Sequence, residues 1–137
     1  MARLHVVAFA ARLPRWALEA RSAWLARMPK GFEVECLDVR SGSPERVRAR
    51  LPRGTRIVAL DERGKDLTTR EFAKLLAEPT AFVLGGPDGL DPQIREQAFL
   101  LVRLSALTLP HALAQLVLVE QLYRAASIHA GHPYHRE

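Results

Sequence analysis

The chain has 137 residues, 48% of them hydrophobic and 26% charged, which suits one domain with a buried core and excludes a chain too polar to fold. Its 20 Lys and Arg against 15 Asp and Glu give a net charge of +5, which favours a polyanionic partner such as nucleic acid, although a general preference for Arg over Lys explains the excess equally well. The single cysteine, Cys36, excludes a disulfide within the chain and a cysteine metal cage, so a cytoplasmic setting fits best.

Short apolar runs bounded by turn residues or charges predict five strands. They cover residues 3–9, 32–38, 56–60, 81–84 and 99–104. Helix-like stretches fill the gaps: Pro14 opens the first, Thr68 or Thr69 caps the third, and Asp91 caps the fourth. Strands that alternate with helices predict an α/β fold in which helices cover both faces of a parallel sheet. No linker or repeat interrupts the pattern, so residues 1–137 are expected to form a single domain.

The last predicted helix, residues 111–130, is apolar around far more than one stripe. A helix of this kind is buried on two sides. We predict that the second side packs against another subunit, which makes the protein a homodimer with this helix in its interface. The alternative is complete burial within one subunit. The run 98–119 has the apolar length of a membrane span but includes Arg103, Pro110, His111 and Gln115. We therefore predict a buried strand and helix there, and no membrane segment.

Three loops follow predicted strands at Leu60, Leu84 and Leu104, the positions where ligands bind in open α/β sheets. The first begins with the turn Leu60-Asp61-Glu62. The second, Gly85-Gly-Pro-Asp-Gly89, can bring bare backbone against a ligand, although a tight turn without a ligand explains the same residues. The third, residues 105–110, offers hydroxyl groups and backbone amides before a helix. Together they can hold an adenosine moiety, whereas no Gly-x-Gly-x-x-Gly follows the first strand, which weighs against a dinucleotide.

Four motifs identify a family resemblance that extends over nearly the whole chain. They are Gly85-Gly-Pro-Asp-Gly89, Ser105-Ala-Leu-Thr-Leu-Pro-His111, Glu120-Gln-Leu-Tyr-Arg124 and the ending His132-Pro-Tyr-His-Arg-Glu137. The chain resembles the SPOUT-class family of ribosomal RNA large subunit methyltransferase H. The resemblance implies a C-terminal trefoil knot, S-adenosylmethionine as cofactor, and methylation of N3 of a pseudouridine in 23S ribosomal RNA.

The same resemblance implies the positions that bind the cofactor. They are Leu60, Gly86, Ser105, Ala106, Leu107, Thr108, Leu109 and Pro110, with Gly85 as their close neighbour.

A second implied group lies at the end of the chain, where a knotted fold returns the tail toward the cofactor. We expect the tail to close over the methyl donor and help hold the target base. His135 is our candidate to accept the N3 proton, and Tyr134 or Arg124 to steady the negative charge that develops on the base. Arg124 has an equal alternative, an ion pair with Glu120 four residues earlier on the helix surface.

RNA contacts are expected from Arg12, Arg15, His132 and Arg136. A further basic cluster either contributes to them or is a solvated helix face; it comprises Arg40, Arg46, Arg48, Arg50, Arg53 and Arg56. His129, His132 and His135 have a spacing that suits zinc but lack a carboxylate or cysteine partner, so we expect no metal.

The chain departs from the family pattern in two places. Residues 41–55 form a shorter stretch than in many relatives, and Gln115 stands where many have an arginine, so a phosphate or intersubunit contact is absent or moved. Neither departure is expected to touch the cofactor loops. Alternative functions are a SPOUT methyltransferase acting on another RNA, a non-catalytic RNA-binding module with this fold, and a flavodoxin-like flavin binder.

Overall fold

The structure is a computed structural model that describes residues 2–9, 12–40, 43–86 and 88–136. Residues 135 and 136 are described by their backbone alone. Its strands are β1 (Leu4–Phe9), β2 (Val34–Val39), β3 (Arg56–Asp66), β4 (Thr80–Leu84) and β5 (Leu100–Arg103). Its helices are α1 (Arg15–Leu25), α2 (Pro44–Ala49), α3 (Thr69–Lys74), α4 (Pro92–Gln97) and α5 (His111–His129). Two 3-10 turns cover Leu75–Ala77 and Pro133–Arg136.

The strands form one sheet in the order β2-β1-β4-β3-β5, with every neighbouring pair parallel. Leu60 at the carboxyl end of the straight part of β3 lies beside Leu84, the last residue of β4. Leu84 in turn lies beside Ala8 of β1. The predicted parallel α/β sheet is therefore confirmed, and the loops that follow these strands meet at one edge of it.

Alternation along the strands sends side chains to two separate cores. Val6 and Phe82 face the side covered by α3 and α5. Val7 of β1 and Ile57 of β3 face the side that receives Val47 of α2 and Ile94 of α4. Because successive strand residues point to opposite faces, each strand contributes to both cores. Helices thus cover both faces of the sheet, as predicted.

Two of the predicted helix starts are confirmed by the side chains that cap them. The Thr68 hydroxyl accepts a hydrogen bond from the Glu71 backbone N–H at 3.1 Å, while the Glu71 carboxylate accepts one from the Thr68 N–H at 2.9 Å. This reciprocal pair satisfies two backbone donors that the first turn of α3 leaves unpaired. Asp91 accepts from the Gln93 N–H at 2.7 Å and starts α4.

Strand β3 corrects the predicted turn after Leu60. The strand continues to Asp66, and its register against β5 jumps so that Leu60 and Lys65 both lie opposite Val102. The Asp66 carboxylate accepts hydrogen bonds from Arg103 at 2.6 and 2.8 Å, which ties the polar end of β3 to β5. The pattern search missed this part because its alternating apolar residues stop at Leu60.

Helix α5 packs against α1 and α3, and its buried residues run from Gln115 to Ser127. Leu113 near its start remains 43% exposed, and Trp16 on the neighbouring α1 remains 53% exposed. Helix α5 is therefore not completely buried within one chain. Among the described residues no helix combines the length and the apolar character needed to cross a membrane.

Candidate functional site

A cleft of about 640 Å³ opens at the carboxyl ends of β3, β4 and β5. Eight of the nine residues predicted to bind the cofactor line it: Leu60, Gly85, Gly86, Ser105, Ala106, Leu107, Thr108 and Leu109. Pro110, the ninth, lies just beyond the lining and is the residue from which α5 starts. The sheet brings these residues together because parallel strands end at the same edge.

Gly85 and Gly86 form one wall of the cleft, and the chain itself requires them to be glycine. A Cβ at Gly85 would lie 2.6 Å from the backbone of Gly89, and one at Gly86 would lie 2.5 Å from the carbonyl oxygen of Phe9. The Gly89 N–H also donates to the Gly86 carbonyl at 2.9 Å. The tight turn alone therefore explains why both side chains are absent, and a ligand is not needed to account for the glycines.

The loop between β5 and α5 forms a second wall. The Ser105 hydroxyl accepts a hydrogen bond from the Leu107 backbone N–H at 2.9 Å, which holds the loop in a compact turn. Leu107 is nonetheless 76% exposed. Its apolar side chain is therefore accessible to a ligand held in the cleft.

Asp61 lines the cleft and was not among the predicted site residues. Its side chain is only 5% exposed, and its carboxylate accepts hydrogen bonds from the Arg95 side chain at 2.8 to 2.9 Å and from the Arg63 N–H at 2.8 Å. Burial alone raises the pKa of Asp61, but these bonds outweigh burial and hold the pKa below its ordinary value. Asp61 is therefore an ionised carboxylate, and its hydrogen bonds fix the shape of the wall that β3 contributes to the cleft.

We expect Asp61→Asn to destabilise the protein at neutral pH by about 1–3 kcal/mol, because Arg95 loses a charged acceptor. The pKa of Asp61 is depressed in the folded state, so the stability it contributes is present above about pH 3.9, the ordinary value, and is lost as the pH falls through the folded-state pKa. Urea unfolding at pH 7 and at pH 3 measures this difference. Asp88→Asn, at an exposed turn position, is the control; a constant gap between Asp61→Asn and wild type at both pH values would contradict the assignment.

Other charged residues complete the cleft. Glu62, Arg63 and Arg103 line it together with Asp61. Glu62 belongs to the turn that was predicted to help hold the ligand, whereas Arg63 and Arg103 were missed. Arg103 is the last residue of β5, so its position at a strand end was a signal available in the sequence. Arg63 carried no such signal, because it belongs to the part of β3 that lacks an apolar pattern.

His111 and Gln115 correct the expectation that the substitution at position 115 lies away from the cofactor loops. His111 lines the cleft and shares a hydrogen bond with the Gly85 backbone. Gln115 is 1% exposed; its Nε2 lies 2.9 Å from Nε2 of His111, and its Oε1 accepts from Arg21 at 3.0 Å. Position 115 is therefore connected to the Gly85 loop through one side chain.

Two of the three predicted catalytic residues, Arg124 and Tyr134, lie away from the cleft in this chain. Arg124 is about 20 Å further along α5 than His111. It pairs with Glu120 at 3.2 Å, which confirms the ion pair given as the alternative, and its guanidinium also lies 4.7 Å from the ring of Tyr134. Tyr134 packs on Tyr123 and Trp24. Within one chain, then, Tyr134 does not close over the cleft, because α5 separates the two.

The predicted RNA-binding residues are exposed where the structure describes their side chains. Arg12 lies three residues after Phe9, whose carbonyl oxygen touches the Gly86 wall, so it lies at the same edge of the sheet as the cleft. Arg15 pairs with Glu19 at 3.1 Å on the surface of α1. His132 is exposed in the tail. The side chains of His135 and Arg136 lie outside the described part of the structure.

His129, one of the three histidines whose spacing suits zinc, makes other contacts. The ring of His129 stacks on Phe32, and its Nε2–H donates to the Ala73 carbonyl oxygen at 2.6 Å. Among the residues that the structure describes, no three His, Cys, Asp or Glu side chains form a group able to hold a metal ion.

A family model described as a predicted SPOUT methyltransferase matches residues 2–135 of the chain. The fold agrees: the SpoU methyltransferase AviRb from Streptomyces viridochromogenes, solved with the cofactor AdoMet, matches with a TM-score of 0.59 at 18% identity over 93% of this chain and 60% of that one. The TrmH/SpoU tRNA modifying enzyme from A. aeolicus has the same TM-score at 17% identity, over 96% of this chain and 78% of its own. The class is therefore that of the SPOUT methyltransferases.

Relatives in sequence identify the family within this class. The ribosomal RNA large subunit methyltransferase H of Paracidovorax citrulli is 47% identical, and that of Burkholderia thailandensis 44%; each alignment covers 98% of this chain and 99% of the relative. The chain belongs to the ribosomal RNA large subunit methyltransferase H family. These alignments extend over 154 positions, more than the 137 residues of this chain, so part of the relatives' sequence has no counterpart here.

Proposed function

We propose that this protein methylates N3 of a pseudouridine in 23S ribosomal RNA, with S-adenosylmethionine as the methyl donor. The observation that carries the proposal is the cleft at the carboxyl ends of β3, β4 and β5, whose walls are the loops that the family resemblance assigns to the cofactor. Membership of a family named for methylating the large-subunit RNA supports the same substrate.

The cleft suits S-adenosylmethionine in size and in chemistry. Its volume of about 640 Å³ falls within the range of small-molecule sites. Leu60, Leu107 and Leu109 offer apolar surface for an adenine ring, and backbone groups of the Gly85 and Ser105 loops offer polar contacts at its edge. When bound, the cofactor supplies a methyl group already activated by a positively charged sulfur, so the chain's main tasks are to align the base and exclude water.

In this proposal, a residue of the C-terminal tail removes the N3 proton. His135 accepts the proton, and Arg124 with Tyr134 stabilises the negative charge that develops on the base. Burial of the Tyr134 phenol, together with the nearby Glu120 carboxylate, raises its pKa, so this side chain remains a hydrogen-bond donor at neutral pH. The Arg124 guanidinium over the Tyr134 ring keeps the two donors adjacent.

RNA phosphates are engaged by Arg12, Arg15, His132 and Arg136. Arg12 and Arg15 support this role because both are exposed and Arg12 lies at the cleft edge of the sheet. The ion pair of Arg15 with Glu19 is fully on the surface, where such pairs are weak, so Arg15 can exchange it for a phosphate. Cationic contacts of this kind position the RNA while the target base enters the cleft.

A homodimer completes the site in this proposal. The cleft and the tail lie at opposite ends of α5, so a site that uses both needs the tail of a second subunit. Exposed Trp16 and Leu113 on the α1 and α5 surface supply an apolar patch for such an interface. Residues 1–137 act as one domain, because β1 and β5 belong to one sheet and Leu4 shares a core with Leu118. The protein works in the cytoplasm, where ribosomes are.

The C-terminal trefoil knot also belongs to this proposal. The part of β3 after Leu60 runs beside β5, and a Cβ at Gly64 would lie 2.6 Å from the backbone of Val102. The end of β3 therefore lies directly against the strand that leads to α5, which supports threading of the C-terminal segment past it.

Binding of S-adenosylmethionine is the first test, measured by calorimetric titration. We expect saturable binding by wild type and at least about tenfold weaker binding by Ala106→Trp, because an indole at an exposed position of the wall fills the cleft without disturbing the core. Ala49→Trp, at an exposed position on α2, is the matched control and should bind as wild type does. Gly86→Val is unsuitable, since its side chain would collide with Phe9. Equal affinity of wild type, Ala106→Trp and Ala49→Trp would place the cofactor elsewhere.

Methyl transfer is then measured with tritiated S-adenosylmethionine and large ribosomal subunits that lack the modification. Label should enter 23S RNA that contains pseudouridine at the target and not RNA with uridine there. Label that enters only a different RNA would support the alternative substrate. Cofactor binding without transfer to any RNA would support the non-catalytic RNA-binding module.

A further inference from the structure

A continuous chain of side-chain hydrogen bonds connects the outer strand of the sheet to the cleft. The Asp38 carboxylate accepts two bonds from the Arg21 guanidinium, at 3.0 and 2.9 Å. Arg21 Nη1 also donates to Oε1 of Gln115 at 3.0 Å, and Nε2 of Gln115 lies 2.9 Å from Nε2 of His111. His111 is the member that lines the cleft, and its remaining hydrogen bond is to the Gly85 backbone.

The chemistry of these groups fixes the direction of every bond. A guanidinium only donates, so the Gln115 amide must present its oxygen to Arg21. The reversed amide would set an NH₂ group against the guanidinium, with donor facing donor. The NH₂ of Gln115 therefore faces His111, and because it too only donates, Nε2 of His111 must accept and carry no proton.

The proton of the His111 ring consequently lies on Nδ1. A neutral imidazole has one N–H, and the partner left for it is the carbonyl oxygen of Gly85, which only accepts. His111 is also the first residue of α5, where the positive end of the helix dipole disfavours an imidazolium. Burial lowers the pKa of His111, although the Gly85 bond and Asp38 partly offset it.

We propose that Gln115, oriented by Arg21, is a positioning residue of the cofactor site: it holds His111 neutral, with its proton on Nδ1, so that the ring anchors the Gly85 carbonyl. The consequence for the cofactor rests on the proposed function. A neutral ring also places no second cation beside a ligand whose sulfur is positively charged. Arg21, paired with Asp38, retains its charge behind Gln115.

The charged groups around His111 come from several elements. Arg21 on α1 and Asp38 on β2 face it through the hydrogen-bond chain. Across the cleft, β3 and β5 contribute Asp61, Glu62, Arg63 and Arg103. A substitution at Gln115 changes the hydrogen bonding of Arg21 as well as that of His111, whereas Arg21 keeps its two bonds to Asp38.

The direct test is ¹⁵N NMR of the histidine rings across pH 5.5–8, with His111→Asn identifying the resonances among the five histidines. In wild type, Nε2 of His111 should resonate as an unprotonated nitrogen and Nδ1 as a protonated one at neutral pH, because the pKa of His111 lies below its ordinary value. Gln115→Glu replaces the donor by a carboxylate that accepts from both neighbours, so the His111 pKa should rise and the imidazolium should appear near neutral pH. Gln97→Glu adds the same charge on α4 and should change nothing.

The second measurement is affinity for S-adenosylmethionine. Gln115→Leu removes one of the two hydrogen bonds that hold the His111 ring and should weaken binding by about threefold to tenfold, the value of one neutral hydrogen bond. Gln97→Leu should bind as wild type does.

Two results would overturn the proposal: a proton on Nε2 of His111 in wild type at neutral pH, or an unchanged His111 titration in Gln115→Glu. The second result together with weaker binding by Gln115→Leu would assign Gln115 a packing role only. If wild type binds no S-adenosylmethionine, the proposed function fails, but the NMR result still decides the state of His111.

Discussion

Mixing two inactive variants should restore methyl transfer, provided that one is damaged in the cleft and the other in the tail. The cleft variant is Ala106→Trp. The tail variant carries Arg124→Ala and His135→Ala together. Each alone should lose nearly all turnover, because the first blocks the cofactor and the second removes the proposed base and its cationic neighbour.

The reason is the geometry of α5. Its first residue, His111, lines the cleft, whereas Arg124 lies about 20 Å along the helix, beside the tail. A two-fold symmetric dimer that packs the α1 and α5 surfaces of two subunits can bring the end of one α5 near the start of the other. Each active site would then combine the cleft of one subunit with the tail of its partner.

The expected turnover of the mixture follows from the number of active sites that remain intact. In a heterodimer of the two variants, one site joins an intact cleft to an intact tail and the other has both defects. Random assortment makes half of all dimers heterodimers, so the mixture should reach about a quarter of wild-type turnover. The variants are co-expressed with different affinity tags, and the doubly tagged species, which contains heterodimers alone, should show about half of wild-type turnover once purified.

The same experiment separates the alternatives. No restored activity in purified heterodimers would mean that cleft and tail act within one chain. Failure to recover any doubly tagged species would mean that the protein is a monomer. Full turnover by the tail variant alone would remove Arg124 and His135 from the reaction. Heterodimers of Ala49→Trp with wild type control for the effect of tagging and purification.

Local signals in the sequence were enough to predict the sheet and the helix starts. The run that became β4 is apolar and bounded by turns, and the caps at Thr68 and Asp91 act within three residues of their own positions. Loops that follow strands of a parallel sheet must meet at one edge, so the walls containing Leu60, Gly85 and Ser105 could be placed from their order alone.

Contacts between distant residues could not be predicted in this way. Arg21 and Gln115 are ninety-four positions apart, and no property of either residue indicates that a guanidinium on α1 orients an amide on α5. Asp61 and Arg95 are likewise joined only by the folded sheet. The separation of Tyr134 from the cleft of its own chain was equally hidden, because the sequence of α5 gives the length of the helix but not the direction in which it packs.

Replacing Gly64 by alanine should be among the most damaging single changes in this protein. A Cβ at this position would lie 2.6 Å from the backbone C and N atoms of Val102 and 2.8 Å from the backbone C of Leu101. These are atoms of β5, which cannot move aside without breaking the pairing that joins β5 to β3. We expect a loss of about 3 kcal/mol or more in the free energy of unfolding, at or beyond the upper end for overpacked sites.

Gly54→Ala is the matched control, because close packing requires a glycine at position 64, whereas the backbone conformation favours one at position 54. Gly54 has a φ of +85°, and a methyl group added there would have no atom within 4 Å, so alanine strains only the backbone and should cost about 1–2 kcal/mol. Urea denaturation of both variants compares the two costs. A smaller loss for Gly64→Ala than for Gly54→Ala would mean that β3 and β5 cross less closely than the structure shows.

Cofactor affinity should decline together with stability in Gly64→Ala but not in Gly54→Ala. Asp61 and Arg63, which line the cleft, belong to the same part of β3 as Gly64, and that part is held in place by its pairing with β5. Separation of the two strands therefore removes one wall of the cleft as well as a piece of the sheet. Under conditions where Gly64→Ala remains folded, S-adenosylmethionine should bind at least about tenfold more weakly than to Gly54→Ala, because the wall that excludes water from the site is displaced.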